Sequence, residues 1–472
     1  MTLYEAEWRI EQVVKQKSIK LDLSKLKLKG LPPEIVKCKY LTELDLSFNK
    51  ITQIPNALGH LSNLTKLSLS ENQITSIPEA IRQLSNLTQL DLSGNQITTI
   101  PEVIWQLSNL TSLNLRSTGI TSIPEAIRQL SNLTQLDLRG NQITTIPEVI
   151  WQLSNLTSLE LGRNGITSIP EAIEQLSNLK SLNLGDNQIT SIPEALGQLS
   201  NLTSLNLAIN KITSIPEALG QLSNLIELDL SCNQITSLPE ALGQLSNLIY
   251  LYLVGNKITS IPEAVWQLSN LEGLDLNSNK ITSIPEALGQ LSNLTSLNLH
   301  YNKITCIPET VGQLLNLKWL HLSNNQITFV PKTLRDLKNL ETLGLRENPL
   351  PIPAEILQNI GSYEVDKLLT LLDSYFLIRD SLEEAAEALN AVPQPQVTDK
   401  AIEATESVTA QSSQLKKDIA ALYAINARLA KAAQPDDYTP TKVARAALKA
   451  QTSLIAAIKA LEKMDDIVAS DS

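Results

Sequence analysis

Cysteine is nearly missing from this 472-residue chain: Cys38, Cys232 and Cys306 lie far apart and at unrelated points of the sequence. Such spacing does not build a disulfide framework, and it points to a reducing compartment. Histidine is equally scarce, with three residues, and aromatics make up only 4%. No zinc-ligand spacing, no G-x-S-x-G elbow and no His-Glu-x-x-His pair occurs. The chain has no Gly-Lys dipeptide at all, which excludes a P-loop nucleotide site. A non-enzyme without cofactor or metal is therefore expected. Positive charge is also short: 38 Lys and Arg face 49 Asp and Glu, for a net charge of -11. From Pro349 onward the balance is 12 against 18, and before it 26 against 31, so neither part reads as a nucleic-acid binder. Met1 to Lys20 is studded with Glu5, Glu7, Arg9, Glu11, Lys15 and Lys17 and offers no signal-peptide core. No apolar run is long enough to span a membrane. A soluble, cytoplasmic protein is expected.

What the chain has instead is a 23-residue period, which keeps Leu64, Leu87, Leu110 and their successors to Leu317 in step without an insertion. The unit from Leu64 to Pro78 fits the leucine-rich-repeat signature L-x-x-L-x-L-x-x-N-x-L, one strand per coil turn. Leu67 and Leu69 alternate with Lys66, Ser68 and Ser70, so the leucines are buried and the residues between them line an exposed strand face. Ile74, Ile77 and Ile81 complete the interior. Pro78 followed by Glu79 suits the first turn of a short helix or 3-10 segment on the opposite side. Asn49, Asn72, Asn95 and later equivalents recur at the bend after the strand, where a buried amide can bond the backbone of neighbouring turns; Thr118 interrupts them. Fifteen turns are counted. The predicted fold class is an α/β leucine-rich-repeat solenoid, with a curved parallel sheet on the concave face and short helices or 3-10 turns on the convex face, followed by an all-α C-terminal region.

The open ends of such a stack need cover. A capping helix is expected over residues 1–18, with Tyr4, Trp8, Val13 and Val14 facing the first turn. The solenoid is assigned to residues 19–362 and a C-terminal capping helix to residues 363–390, with Leu368, Leu369, Leu372, Phe376 and Leu377 facing inward. After Pro349-Leu350-Pro351-Ile352-Pro353 the composition shifts to Ala, Glu, Lys and Gln. Apolar stripes through Leu415, Ile419, Leu422 and through Leu454, Ile458, Leu461 predict a helical hairpin or bundle over residues 391–472, either a closed cap or a module for self-association.

Two features mark candidate binding residues on the concave face. Residues 75–120 and 121–166 are one 46-residue block written twice, differing at Ser93/Arg139, Asn114/Glu160, Arg116/Gly162, Ser117/Arg163 and Thr118/Asn164. Variation gathers at the strand side, while Glu79, Arg82, Gln83 and Trp105 return unchanged as Glu125, Arg128, Gln129 and Trp151. Either a recent duplication or a varied recognition face explains this. The charged candidates are Arg116, Arg139 and Arg163, which could equally be neutralised by Asp91, Asp137 and Glu160. The scarce aromatics, meanwhile, collect at Tyr250, Tyr252, His300, Tyr301, Trp319 and His321, residue types common at binding hot spots. Two imidazoles near Asp275 are not read as a metal site.

The repeat Leu-Thr-x-Leu-x-Leu-x-x-Asn-x-Ile-Thr-x-Ile-Pro-Glu-Ala-Ile/Leu-x-Gln-Leu-x-Asn resembles the Shoc-type, Ras-group leucine-rich-repeat proteins and the repeat arm of bacterial Roco proteins. Leu21-Asp22-Leu23-Ser24, Leu31-Pro32-Pro33-Glu34-Ile35 and the closing Asn348-Pro349-Leu350-Pro351-Ile352-Pro353 share that likeness. The GTPase module of Roco proteins has no counterpart here. The resemblance implies an intracellular signalling scaffold whose partner is a protein, with a small GTPase as one candidate. It is similar as well to bacterial repeat effectors, although the absence of cysteine after Cys306 rules against a cysteine-dependent ubiquitin ligase. An effector whose helical tail acts on a target, and a self-associating structural solenoid, are the alternative readings.

Overall fold

The structure, a computed structural model, describes residues 2–350, 365, 368–370 and 372–374. Helix α1 (Thr2–Gln16) is followed by fifteen three-residue strands, from β1 (Lys20–Asp22) to β15 (Thr342–Gly344), each separated from the next by a five-residue 3-10 turn. The strands run in sequence order in a parallel sheet. Each residue pairs with the one 23 positions on, as Leu21 with Leu44, Leu136 with Leu159 and Leu297 with Leu320. The unbroken period leaves no room for a register slip, since one residue of shift would turn every leucine outward. Between Leu274 and Asp275 the chain divides into two compact units.

The side opposite the strands is built of 3-10 turns throughout. Pro78 sits one position earlier than a first-turn proline. It is extended at φ -77°, ψ 151°, and its carbonyl accepts from the Ile81 amide at 3.1 Å. An extended residue with no N–H to satisfy suits proline there. The asparagine ladder forms as expected. Asn72 donates from Nδ2 to the Leu46 carbonyl of the preceding turn and to the Leu69 and Ser70 carbonyls, while its Oδ1 accepts from the Ile51 amide. The residue before each asparagine is left-handed: Phe48, Glu71, Arg163, Asp186, Ile209 and Tyr301 all have φ between +50° and +57°. Glycine, which takes this conformation without strain, fills it only at Gly94, Gly140 and Gly255. Nothing in the leucine spacing announces that turn.

Helix α1 lies against β1 and the first 3-10 turn and buries Ala6 and Ile10. The expected inward face is therefore corrected: Tyr4 and Trp8 are exposed, as is Val14, and Val13 is only half-buried. Ala6 and Ile10 are four residues apart and so share one stripe. A small residue there lets the helix approach the strand edge closely, and the bulky face turns out. At the other end Val365, Leu368 and Leu372 are buried and Leu369 is half-buried. Arg335 forms an ion pair with Asp373 and donates to the Leu369 carbonyl. Phe376, Leu377, the rest of the capping segment over 363–390 and the helical hairpin over 391–472 lie outside the described residues.

Candidate functional site

Every strand buries its central leucine, and its first and third residues are exposed or half-buried, except Gly273 and the last strand, Thr342–Gly344, which are buried. In the first unit this face is mostly small and polar, with Gln89, Ser112, Gln135, Ser158 and Ser181 at first positions. The duplicated block shows how its charge is handled. In the earlier copy the Ser93 hydroxyl donates to Asp91 at 2.7 Å, and Asn114 pairs in register with Asp91. In the later copy Glu160 replaces that asparagine, so two carboxylates, Asp137 and Glu160, face each other on adjacent strands. Arg139 stands where Ser93 was. Its guanidinium donates to both Asp137 oxygens, at 2.6 Å for the shortest contact, and lies 3.7 Å from Glu160. Asn183 donates to Glu160 at 3.0 Å. Two of the five differences are thus one compensated exchange, in which a neutral serine and asparagine beside an aspartate give way to an arginine and a glutamate of opposite charge.

Arg139 is therefore committed inside the surface, and its charge is held further on by the Asp137 hydrogen bond. Arg163 lies in the left-handed turn beyond the strand and only approaches Asp186, at 3.8 Å. Arg116 is exposed, and among the described residues no carboxylate pairs with it. The pairing predicts that Arg139→Ser destabilises the first unit, by about 1 kcal/mol because the site is partly exposed. Adding Glu160→Asn, which recreates the earlier copy, is expected to restore most of the loss. A urea-unfolding double-mutant cycle measures the coupling, and strictly additive effects would show that the arginine bridges nothing.

Also in the first unit, Tyr250 and Tyr252 stand two residues apart on one strand, their rings parallel within 5° and 6.3 Å between centroids. Gly273 on the next strand makes this possible. A Cβ there would sit 2.8 Å from the Tyr250 ring, so the ring lies down over the glycine. The Tyr250 hydroxyl reaches Glu272 at 3.4 Å. Leucine periodicity passes over Gly273; the available signal is a glycine where other strands carry a side chain.

In the second unit the aromatics gather on the strand Trp319–His321 and, as His300 and Tyr301, just beyond its register partner Ser296–Asn298. Trp319 is 39% exposed, with the Lys318 ammonium 5.9 Å from its ring centre. His321 is half-buried and pairs in register with Gly344, which is buried. His300 packs edge-on against Tyr301 with centroids 4.2 Å apart. Tyr301 does not lie on the strand face as expected. With φ +50° it occupies the following turn, and half of it is exposed. Asp275 accepts from Asn298 at 3.1 Å. Among the described residues no group of three His, Cys, Asp or Glu side chains could hold a metal ion.

Burial pushes the His321 pKa below the ordinary imidazole value, the neighbouring His300 lowers it further, and Asp275 opposes both. Because the folded imidazole binds its proton less readily than the unfolded one, its contribution to stability is present above about pH 6.5 and is lost as pH falls from there through the folded pKa. His300→Gln is expected to raise the His321 titration midpoint, and Asp275→Asn to lower it. Proton-resonance titration of the imidazoles checks both directions.

A parallel strand ladder backed by 3-10 turns, with an asparagine ladder inside, defines a leucine-rich-repeat solenoid. Family comparison agrees. The leucine-rich-repeat region pattern matches residues 104–211, 194–306 and 263–362, and the leucine rich repeat pattern matches 20–74 and 62–120. The chain belongs to the leucine-rich-repeat family. No curated protein sequence matches it. Among solved structures, a leucine-rich-repeat protein of Leptospira interrogans is 38% identical over 72% of this chain and 88% of its own, with a TM-score of 0.70. The plant peptide hormone receptor RGFR1, in complex with RGF2, is 33% identical over 70% of this chain and 55% of its own, with a TM-score of 0.62. An internalin of Listeria monocytogenes is 30% identical over 62% of this chain and 83% of its own, with a TM-score of 0.57. No helix among the described residues is long and apolar enough to cross a membrane.

Proposed function

We propose that this protein is a non-enzymatic scaffold that binds a protein partner on its strand face, and that the second unit's principal contact is Trp319. The observation that carries this is the exposure of a tryptophan, beside the half-buried His321, at strand positions that elsewhere mostly hold serine, glutamine or a charged group. Tryptophan buries a large area with few torsions to freeze, which is why it anchors interfaces. His300 and Tyr301 flank it. In the first unit additional contacts are offered by the preformed Tyr250–Tyr252 pair, by the exposed Arg116 and by Arg163, whose exposed guanidinium is held only loosely by Asp186 at 3.8 Å. Support comes from the similar receptor RGFR1, described in complex with RGF2. The Ras-group likeness of the repeat points to a signalling protein, such as a small GTPase, as the partner, and the exposed free thiols of Cys232 and Cys306 suit a reducing cytoplasm.

The test is quantitative capture from native lysate, with partners identified by mass, using the wild type and three separate variants: Trp319→Ala with His321→Ala, Tyr250→Ala with Tyr252→Ala, and Arg116→Ala with Arg163→Ala. Loss of a hot-spot tryptophan is worth about 2 kcal/mol or more, a roughly 30-fold drop in affinity. A partner retained by all three folded variants would sink the strand-face reading.

A further inference from the structure

We propose that the N-terminal end of the repeats, helix α1 with residues 17–50, is a docking surface for an anionic lipid membrane. Residues 15–50 hold nine lysines against four carboxylates, whereas residues 51–348 hold 16 basic against 24 acidic side chains. All nine lysines are exposed. Lys15 is paired with Glu11 and Lys20 with Glu43. Among the described residues Lys17, Lys25, Lys27, Lys29, Lys39 and Lys50 have no carboxylate within ion-pair distance. Their charge is therefore available to an outside partner.

Apolar side chains crowd the same end. Of the thirteen large hydrophobic residues exposed among the described ones, seven fall in the first 48 positions, so this exposure is local and not a general property of the surface. Leu3, Tyr4, Trp8 and Val14 of α1 are all exposed, whereas Ala6 and Ile10 are buried. Tyr40 and Phe48, each more than half exposed, carry the Lys17 and Lys25 ammonium groups over their rings at 5.8 and 5.6 Å.

Lysines around exposed aromatic and aliphatic groups are the chemistry of attachment to an anionic bilayer: ammonium groups are drawn to the negative headgroups, and apolar side chains enter the boundary of the acyl layer. The balance of residues favours lipid over nucleic acid. The cations are lysines, with Arg9 occupied by Glu5 and the Asp22 carbonyl, so planar bidentate phosphate recognition is not provided. Helix α1 carries the exposed Glu7 and Glu11 among its apolar groups, and a nucleic-acid backbone would leave Leu3, Tyr4 and Trp8 against water.

Co-sedimentation of the full chain with vesicles tests this, using phosphatidylcholine alone and with about one third phosphatidylserine. Binding is expected only to the anionic vesicles and is expected to disappear at about 0.5 M salt. Each lysine near the surface is worth about a fivefold change in binding. Lys27→Glu, Lys29→Glu and Lys39→Glu together should weaken it on the order of 100-fold while leaving the circular dichroism spectrum unchanged. Trp8→Ser, at an exposed position, should weaken it several-fold without changing the melting temperature. Equal binding to both vesicle types, no binding to either, anionic binding indifferent to the lysine variant, or tighter binding of a single-stranded oligonucleotide at the same salt would each overturn the proposal.

Discussion

Asn187→Ala is expected to lower the stability of the first unit by about 1–3 kcal/mol. Its amide nitrogen donates to the Leu161, Leu184 and Gly185 carbonyls at 3.0–3.3 Å, and its oxygen accepts from the Ile166 amide at 3.0 Å. Asn187 and the residues of the three shorter of these contacts are buried. Alanine would strand the Ile166 N–H, a buried orphan that costs about 1–3 kcal/mol, while the Leu161 and Leu184 carbonyls keep a donor in Asn164 and Asn210. The chain contains its own partial control at Thr118. There the hydroxyl donates to the Leu115 carbonyl at 2.8 Å and lies 3.1 Å from Asn141 Oδ1. It offers nothing to the Ile97 amide, which among the described residues has no acceptor, although Ile97 is buried. Thr118→Asn is therefore expected to stabilise by about 1 kcal/mol. Because repeats open in parts rather than all at once, amide exchange reads both changes best: Ile166 should exchange faster in the first variant, and Ile97 slower in the second. An Ile97 rate that ignores the asparagine would refute the reading.

Trp266→Ala is expected to cost about 3–5 kcal/mol, while Trp266→Phe costs less than about 1.5. Trp266 is 1% exposed, and among the described residues its buried Nε1–H has no partner, nor has that of Trp151. Alanine loses the packing and leaves a void. Phenylalanine keeps most of the volume and removes an unsatisfied donor, which offsets part of the smaller ring. Tryptophan and glycine are not interchangeable at this 3-10 position. A Cβ on Gly220 would stand 2.3 Å from the Ala241 carbonyl oxygen, so in that repeat the next turn closes onto bare backbone. Urea unfolding of the two tryptophan variants measures the difference; equal losses would mean that the indole N–H is satisfied in solution.

The aromatic residues and the repeat boundaries were legible because both are departures from a strict period. What escaped was whatever depended on neighbours in space. The leucine pattern gives no sign that Gly273 lets the Tyr250 ring lie flat, or that Arg139 is spent on Asp137 and Glu160. The surplus of lysine at residues 15–50 was visible in the sequence but vanished when charge was summed over halves. Tyr4 and Trp8 read as a buried stripe because helical spacing identifies a face without saying which way it turns.

By itself, then, the sequence determined the coil: the 23-residue period, the parallel register, the buried leucines and the asparagine ladder, all consequences of local spacing and of backbone groups that must be paired. Only the tertiary structure decided which charged side chains remain free, which aromatics lie on the strand face and which in the left-handed turn, and which side of α1 is exposed. Those outcomes depend on contacts between neighbouring turns, on the packing of α1 against the first strand and on the backbone turn after each strand, none of which a one-dimensional pattern encodes.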